Sequence, residues 1–228
     1  MTIHATDIAR TIDHTLLAPE ATPERVTQLC REAHEHGFYS VCIAPVFVGL
    51  AGKELAGSSV QVCTVVGFPT GMSEPEVKAY ETGLALRRGA DEVDMVMNIG
   101  AARAGDWQQV RLDIVQVVDR ADGRPVKVIL ETCLLTDEEK QRACAVCVDA
   151  GAAFVKTSTG FSHGGATEAD VRLMRAAVGP DPGVKASGGI RDYATACRMI
   201  EAGATRLGTS SGLKIVAGEK DLSAADAY

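Results

Sequence analysis

The chain reads as an α/β protein, a single (β/α)8 barrel of the TIM type, on three observations. Eight short apolar runs alternate with longer stretches of helical periodicity, the order expected of parallel strands joined by crossover helices. Four helical stretches end in Gly and lead directly into a strand: Gly37-Phe-Tyr-Ser-Val-Cys, Gly89-Ala-Asp-Glu-Val-Asp, Gly151-Ala-Ala-Phe-Val-Lys and Gly203-Ala-Thr-Arg-Leu-Gly. Eight such units in 228 residues, without a Pro/Ser-rich linker, match the small end of the barrel size range. A doubly wound open sheet is the alternative. The domain is expected to span residues 1–228, with the barrel over about 10–217 and a polar tail over 218–228.

The strands are expected at Thr11–Leu17, Tyr39–Ala44, Val60–Gly67, Glu92–Asn98, Val126–Glu131, Ala153–Ser158, Val184–Ser187 and Arg206–Ser210. Helix starts fall between them. Thr22-Pro23 offers an N-cap with Pro in the first helical position. Ser73–Glu76 and Thr136–Glu139 have the spacing of capping boxes.

The Gly-led junctions also set the phase of the even strands. The fourth residue after each Gly is apolar (Val41, Val93, Val155, Leu207) and is expected to face the helices. The third and fifth then face the lumen: Ser40 and Cys42, Glu92 and Asp94, Phe154 and Lys156, Arg206 and Gly208. Asp94 and Lys156 therefore come out at equivalent heights near the C-terminal rim, where barrel active sites lie.

Composition narrows the class. A hydrophobic fraction of 46% supports a sizeable core, and a net charge of -7 argues against nucleic acid or an anionic membrane as partner. No apolar run reaches the roughly 20 residues of a membrane helix, and no signal peptide is expected from the first residues. Seven cysteines scattered through apolar runs do not form a disulfide framework; a reducing cytoplasm fits them. Cys144 and Cys147 make a C-x-x-C, but no second ligand pair stands at metal spacing.

Lys156 lies inside an apolar strand, where a lysine is either ion-paired or an amine kept for chemistry. Burial and a nearby cation favour the neutral, nucleophilic amine. Lys185, in Gly183-Val-Lys-Ala-Ser-Gly-Gly-Ile-Arg191, supplies that cation if Val184 and Ala186 face the helices. Two inward lysines on adjacent strands are costly as structure alone. Asp94 is the carboxylate within reach for proton transfer. Lys127 and Glu131, inward on the fifth strand, extend this network or form a structural pair. Glu92 and Arg206, one layer deeper, read as a buried ion pair.

Two Gly-rich loops, Ser187-Gly-Gly-Ile-Arg191 and Gly208-Thr-Ser-Ser-Gly212, follow the seventh and eighth strands, where barrels often hold phosphate. Thr157-Ser-Thr-Gly160 adds hydroxyl and N–H donors. His34 and His36 do not share a helix face. His14 either lines the site or is structural, His163 is expected to be exposed, and Trp107 is expected to pack.

These segments resemble the deoxyribose-phosphate aldolase family of class I aldolases. The resemblance rests on Ile12-Asp-His-Thr-Leu-Leu17, Val41-Cys-Ile43, Gly89-Ala-Asp-Glu-Val-Asp-Met-Val96, Lys127-Val-Ile-Leu-Glu-Thr132, Phe154-Val-Lys-Thr-Ser-Thr-Gly160, Val184-Lys-Ala-Ser-Gly-Gly-Ile-Arg191 and Gly203-Ala-Thr-Arg-Leu-Gly-Thr-Ser-Ser211. They occur in family order over roughly residues 10–217. The resemblance implies that Lys156 forms the imine, that the charge of Lys185 favours its free amine, and that Asp94 relays protons. It implies phosphate contacts at Gly160, Gly188, Gly189, Ser210 and Ser211; Asp13, Thr15, Cys42, Lys127 and Thr159 are further accessory candidates.

The implied reaction is reversible cleavage of 2-deoxy-D-ribose 5-phosphate into glyceraldehyde 3-phosphate and acetaldehyde. It needs no cofactor or metal, because the imine is the electron sink. Expected partners are these small molecules and, as an assembly, a homodimer. The C-terminal Tyr228 either folds over the site or belongs to an inert tail. Two rival readings are a Lys-dependent barrel aldolase acting on a ketose phosphate and a non-enzymatic sugar-phosphate binding barrel. Cys42 is a candidate for modification by reactive aldehydes.

Overall fold

The computed structural model describes residues 5–225 and contains a closed barrel of eight parallel strands in sequence order. These are β1 (Ile12–Leu16), β2 (Ser40–Ile43), β3 (Gln61–Val66), β4 (Glu92–Val96), β5 (Val126–Ile129), β6 (Phe154–Lys156), β7 (Gly183–Ser187) and β8 (Arg206–Thr209). Every expected strand is present; seven lose one or two residues where the C-terminal ends turn into loops, and β7 keeps its C-terminal end and begins one residue earlier, at Gly183. The open sheet is excluded, because β8 pairs back onto β1 with Ile12 opposite Leu207.

The helices are α1 (Ala5–Ala9), α2 (Pro23–His36), α3 (Val48–Glu54), α4 (Pro75–Arg87), α5 (Ile99–Arg103), α6 (Trp107–Arg120), α7 (Asp137–Asp149), α8 (Glu168–Val178), α9 (Tyr193–Glu201) and α10 (Gly212–Ala225). Their ends follow the local chemistry. Thr22 caps α2 by accepting from the Arg25 N–H, and Thr136 with Glu139 closes both halves of a capping box on α7. Ser73–Glu76 does not form the second box. Pro75 fixes the first helical turn, so Glu74 becomes the N-cap without a side-chain bond and Ser73 falls one residue too early. The four junction glycines all have positive φ, from 65° at Gly37 to 113° at Gly203.

The strands are buried on both faces, as a parallel barrel wrapped in helices requires. Val41, Val93, Val155 and Leu207 face the helices and join the main apolar core. Inside, Cys42, Cys63 and Val65 form a small separate apolar cluster. The rest of the lumen is charged: Asp13, Glu92, Asp94, Lys127, Lys156, Lys185 and Arg206 are all buried. Alternate side chains along each strand point inward, so six strands deliver these groups to one space.

Candidate active site

Asp94 is the hub of the lumen. Its Oδ2 accepts from Lys156 Nζ at 2.8 Å and Lys185 Nζ at 2.7 Å; its Oδ1 accepts from Lys127 Nζ at 2.9 Å and Cys63 Sγ at 3.2 Å. The cross-strand register makes this possible, placing Asp94 beside Lys127 and Lys156 beside Lys185. Burial alone would push the Asp94 carboxyl up, but Lys127, Lys156 and Lys185 together hold it well below the usual range.

A second carboxylate, Asp13, completes the cage. It accepts from Lys185 Nζ, from Ser40 Oγ at 2.7 Å and from Arg206 at 2.9 Å. Burial again opposes its charge, and Lys185, Lys127 and Arg206 outweigh burial and hold it low. Lys185 answers in kind. Burial disfavours its ammonium, but Asp13 and Asp94 keep it above the ordinary lysine value, so it is a fixed cation. Lys127 is likewise held well above the ordinary value, mainly by Asp94 against the pull of burial.

Glu92 and Arg206 form the expected deeper pair at 3.0 Å, and Glu92 also binds Lys127 at 2.7 Å. The Arg206 guanidinium lies 3.4 Å above the Tyr39 ring centroid. Two sets of side chains have metal-ligand spacing, Cys42 with Cys63 and Asp94, and Asp13 with Cys63 and Glu92. The Lys127 ammonium sits among those ligand atoms, 3.4 Å from Cys63 Sγ, and supplies the balancing positive charge.

Above this cage opens a cavity of about 590 Å³. Its floor holds Lys156, and its walls include Thr15, Thr159, Gly160, Ser187, Gly188, Gly189, Gly208 and Ser210. Lys185 and Lys127 are sealed beneath, each fully buried. Gly188 and Gly189 have φ of 85° and 81°, which lets the chain turn closely after β7; a Cβ on Gly188 would lie 3.0 Å from the Gly165 backbone.

Most site expectations meet here. Lys156, Thr15, Thr159, Gly160, Gly188, Gly189 and Ser210 line the cavity, and Lys185, Asp94, Asp13 and Lys127 form the cage beneath it. Ser211 does not line the cavity. Its N–H bonds Thr209 Oγ1 at 2.9 Å and its carbonyl accepts from Ile215 in the first turn of α10. Cys42 is fully buried beside Cys63, below the cavity floor. Glu131 is not on β5. It follows the strand in a left-handed conformation, φ 56°, and bonds Thr159 instead of the lysines. Tyr228 lies outside the described residues.

His14 is structural. Its Nε2 meets Glu32 at 2.8 Å and its ring tilts against Phe38. His163 is exposed, and Trp107 packs half-buried on the core. The sequence reading missed Arg25 and Arg191, which flank the cavity mouth. Arg191 closes the Gly-Gly-Ile-Arg run and could have been noticed there; Arg25 had only its place beside the Thr22-Pro23 cap.

A closed barrel with one amine at the floor of a rim cavity, a fixed cation behind it and a carboxylate between them defines an enzyme of carbonyl chemistry. The model for the DeoC/LacD family of aldolases matches residues 8–218, and the chain belongs to that family, whose members are carbon–carbon lyases. It is 59% identical over 209 residues to the deoxyribose-phosphate aldolase of Brevibacillus brevis, covering 92% of this chain and 95% of that one. It is 58% identical to the deoxyribose-phosphate aldolase of Listeria monocytogenes, covering 93% and 96% of the two chains. Among solved structures, the tetrameric deoxyribose phosphate aldolase of Aeropyrum pernix superposes with a TM-score of 0.88 at 38% identity, over 96% of this chain and 93% of that one.

Proposed function

We propose that this chain reversibly cleaves 2-deoxy-D-ribose 5-phosphate into D-glyceraldehyde 3-phosphate and acetaldehyde, through an imine on Lys156. One observation carries the reading: of the three lumen lysines, Lys156 alone reaches the cavity, while Lys127 and Lys185 stay sealed under it as charged neighbours. The substrate class follows the names of the relatives described above.

The neutral Lys156 amine attacks C1 of the open-chain aldehyde. Asp94, 2.8 Å away, takes part in the proton transfers by which the carbinolamine loses water to give the iminium ion. A base removes the proton from the C3 hydroxyl, the C2–C3 bond breaks, and its electron pair moves onto the C1–N unit as an enamine. Glyceraldehyde 3-phosphate carries away the new C3 carbonyl. Protonation of the enamine at C2 and hydrolysis release acetaldehyde and restore the amine. Lys185, held cationic by Asp13 and Asp94, disfavours a second positive charge on the resting Lys156. Gly160, Gly188, Gly189 and Ser210 receive the phosphate, with Arg25 and Arg191 at the mouth to balance its charge.

The test is borohydride trapping with acetaldehyde, followed by digestion and mass spectrometry. The expected result is one ethyl adduct on Lys156, absent from Lys156→Ala. Adducts spread over surface lysines, or none, would overturn the reading. The proposal also includes a cytoplasmic location and assembly as a homodimer; among the described residues, no helix is long and apolar enough to cross a membrane.

A further inference from the structure

We infer that Glu131 is a positioning residue for the phosphate end of the site, acting through Thr159 to hold the turn after β6 so that it presents Gly160 to the cavity. The inference rests on the aldolase reading above and adds to it the residue that sets its phosphate preference.

Glu131 is anomalous in three ways. It has a left-handed backbone at φ 56° although it is not Gly, a strained conformation that persists only where its surroundings enforce it. Its carboxylate is buried, with 2% of the residue exposed. No cation pairs with it among the described residues, although Lys127 of the cage stands on β5, the strand that Glu131 follows. The close hydrogen bonds of its carboxylate go to one residue, with only a long contact from Cys133 Sγ at 4.0 Å besides. Both carboxylate oxygens accept from the Thr159 N–H at 3.3 Å, and one also accepts from the Thr159 hydroxyl.

The consequence is a relay along the turn. With its proton directed to Glu131, Thr159 Oγ1 is left to accept from the Phe161 N–H at 3.0 Å. The N–H groups on both sides of Gly160 are thus committed. The Gly160 N–H between them has no protein acceptor among the described residues, at an exposed glycine with φ 85° on the cavity wall. Glu131 itself stays behind that wall, in a smaller cavity of about 270 Å³ bounded by Thr159, Phe161 and Pro69. It is not among the residues lining the larger cavity, which it reaches through Thr159.

The test compares wild type, Glu131→Gln, Glu131→Gly and Thr159→Val. Glu131→Gly removes the clamp while relieving the left-handed backbone, and Glu131→Gln keeps part of it. Kinetic constants are measured with 2-deoxyribose 5-phosphate and with unphosphorylated 2-deoxyribose, alongside the rate of borohydride trapping with acetaldehyde. Glu131→Gly and Thr159→Val are expected to raise KM for the phosphorylated substrate about tenfold, with Glu131→Gln in between. In the two Glu131 variants, turnover of the unphosphorylated sugar and trapping on Lys156 are expected to stay near wild type, so the preference for phosphate falls by the KM factor. Equal losses on both sugars, or an unchanged preference in every variant, would overturn the inference. Failure of trapping in wild type would instead overturn the aldolase reading on which it rests.

Discussion

Lys156 and Lys185 donate to the same atom, Asp94 Oδ2, at 2.8 and 2.7 Å. One carboxylate oxygen therefore tethers the amine proposed to form the imine and its cationic neighbour, so a proton or substrate placed on Lys156 would alter the partner of Lys185. Asp94→Asn replaces the shared negative charge by an amide that can accept from only one oxygen. The expected loss in kcat/KM is about 100-fold to 10,000-fold, with slower imine trapping. A variant within about threefold of wild type in single-turnover trapping would remove Asp94 from the chemistry.

Lys185→Leu removes the fixed cation while filling much of its volume. Without that charge beside it, the Lys156 amine holds its proton more firmly, so turnover at neutral pH falls and the pH–rate profile moves toward alkaline pH. The same change leaves Asp13 and Asp94 short of a buried partner and is expected to destabilise the fold by about 3–5 kcal/mol. A pH–rate profile that keeps its wild-type position, measured on folded protein, would show that Lys185 is structural.

The lumen could be read from the sequence because alternation along a strand is a strict period of two, and the four Gly-led junctions fixed its phase. That placed Asp94, Lys156 and Arg206 inside, while Lys185 on β7 followed only on the condition, met in the structure, that Val184 and Ala186 face the helices. Asp13 was harder. Its strand has no Gly-led junction, and its bonds to Lys185 and Arg206 join β1 to strands more than 170 residues away. Lys78 was invisible, because α4 has no clear apolar face to betray an inward lysine, and only the packing of α4 on α6 buries it. Glu131 was misplaced because the run from Val126 to Glu131 is continuous in sequence, whereas the strand stops at Ile129 and the chain turns left-handed.

The cage also sets a pH window for stability. Asp13 and Asp94 titrate lower in the folded chain than when unfolded, so their contribution is present above the unfolded carboxylate value, near ~3.9, and is lost as pH falls through the folded values. Lys127 and Lys185 are shifted up, so their contribution is complete below the unfolded lysine value, near ~10.4, and is lost only as pH rises through the higher folded values. The difference in melting temperature between wild type and Asp13→Asn should therefore stay constant from about pH 5 to pH 9 and narrow below about pH 4. A difference that already shrinks near neutral pH would mean the cage is not ionised as drawn.

Thiol reactivity separates the cysteines by environment. Burial pushes Cys30 up to about 11 and Cys144 up to about 12, and Cys147 well above the usual thiol range. Cys133 and Cys197 are only half-buried. Iodoacetamide at pH near 8 is expected to label Cys133 and Cys197 in the native chain and to reach Cys30, Cys144 and Cys147 only after denaturation. Peptide mapping that finds Cys144 modified in native protein would contradict the packing of α7.

Lys78 and Asp113 contrast with the cage. Their 2.7 Å pair joins α4 to α6, both side chains are buried, and Lys78 Nζ also donates to the Val96 carbonyl at 2.9 Å, at the end of the strand that carries Asp94. Here burial lowers the lysine and raises the carboxyl, against the pull of the pair itself. Lys78→Met strands Asp113 without a cation and is expected to cost about 3–5 kcal/mol, whereas Lys78→Met with Asp113→Leu removes both charges and should recover most of that loss. Urea unfolding of the two variants measures the difference. Should the double variant be no more stable than the single one, the Asp113 bonds to the Asn98 N–H and Lys78 would matter more as anchors of the β4 loop than their charge does, and the loss would come from geometry.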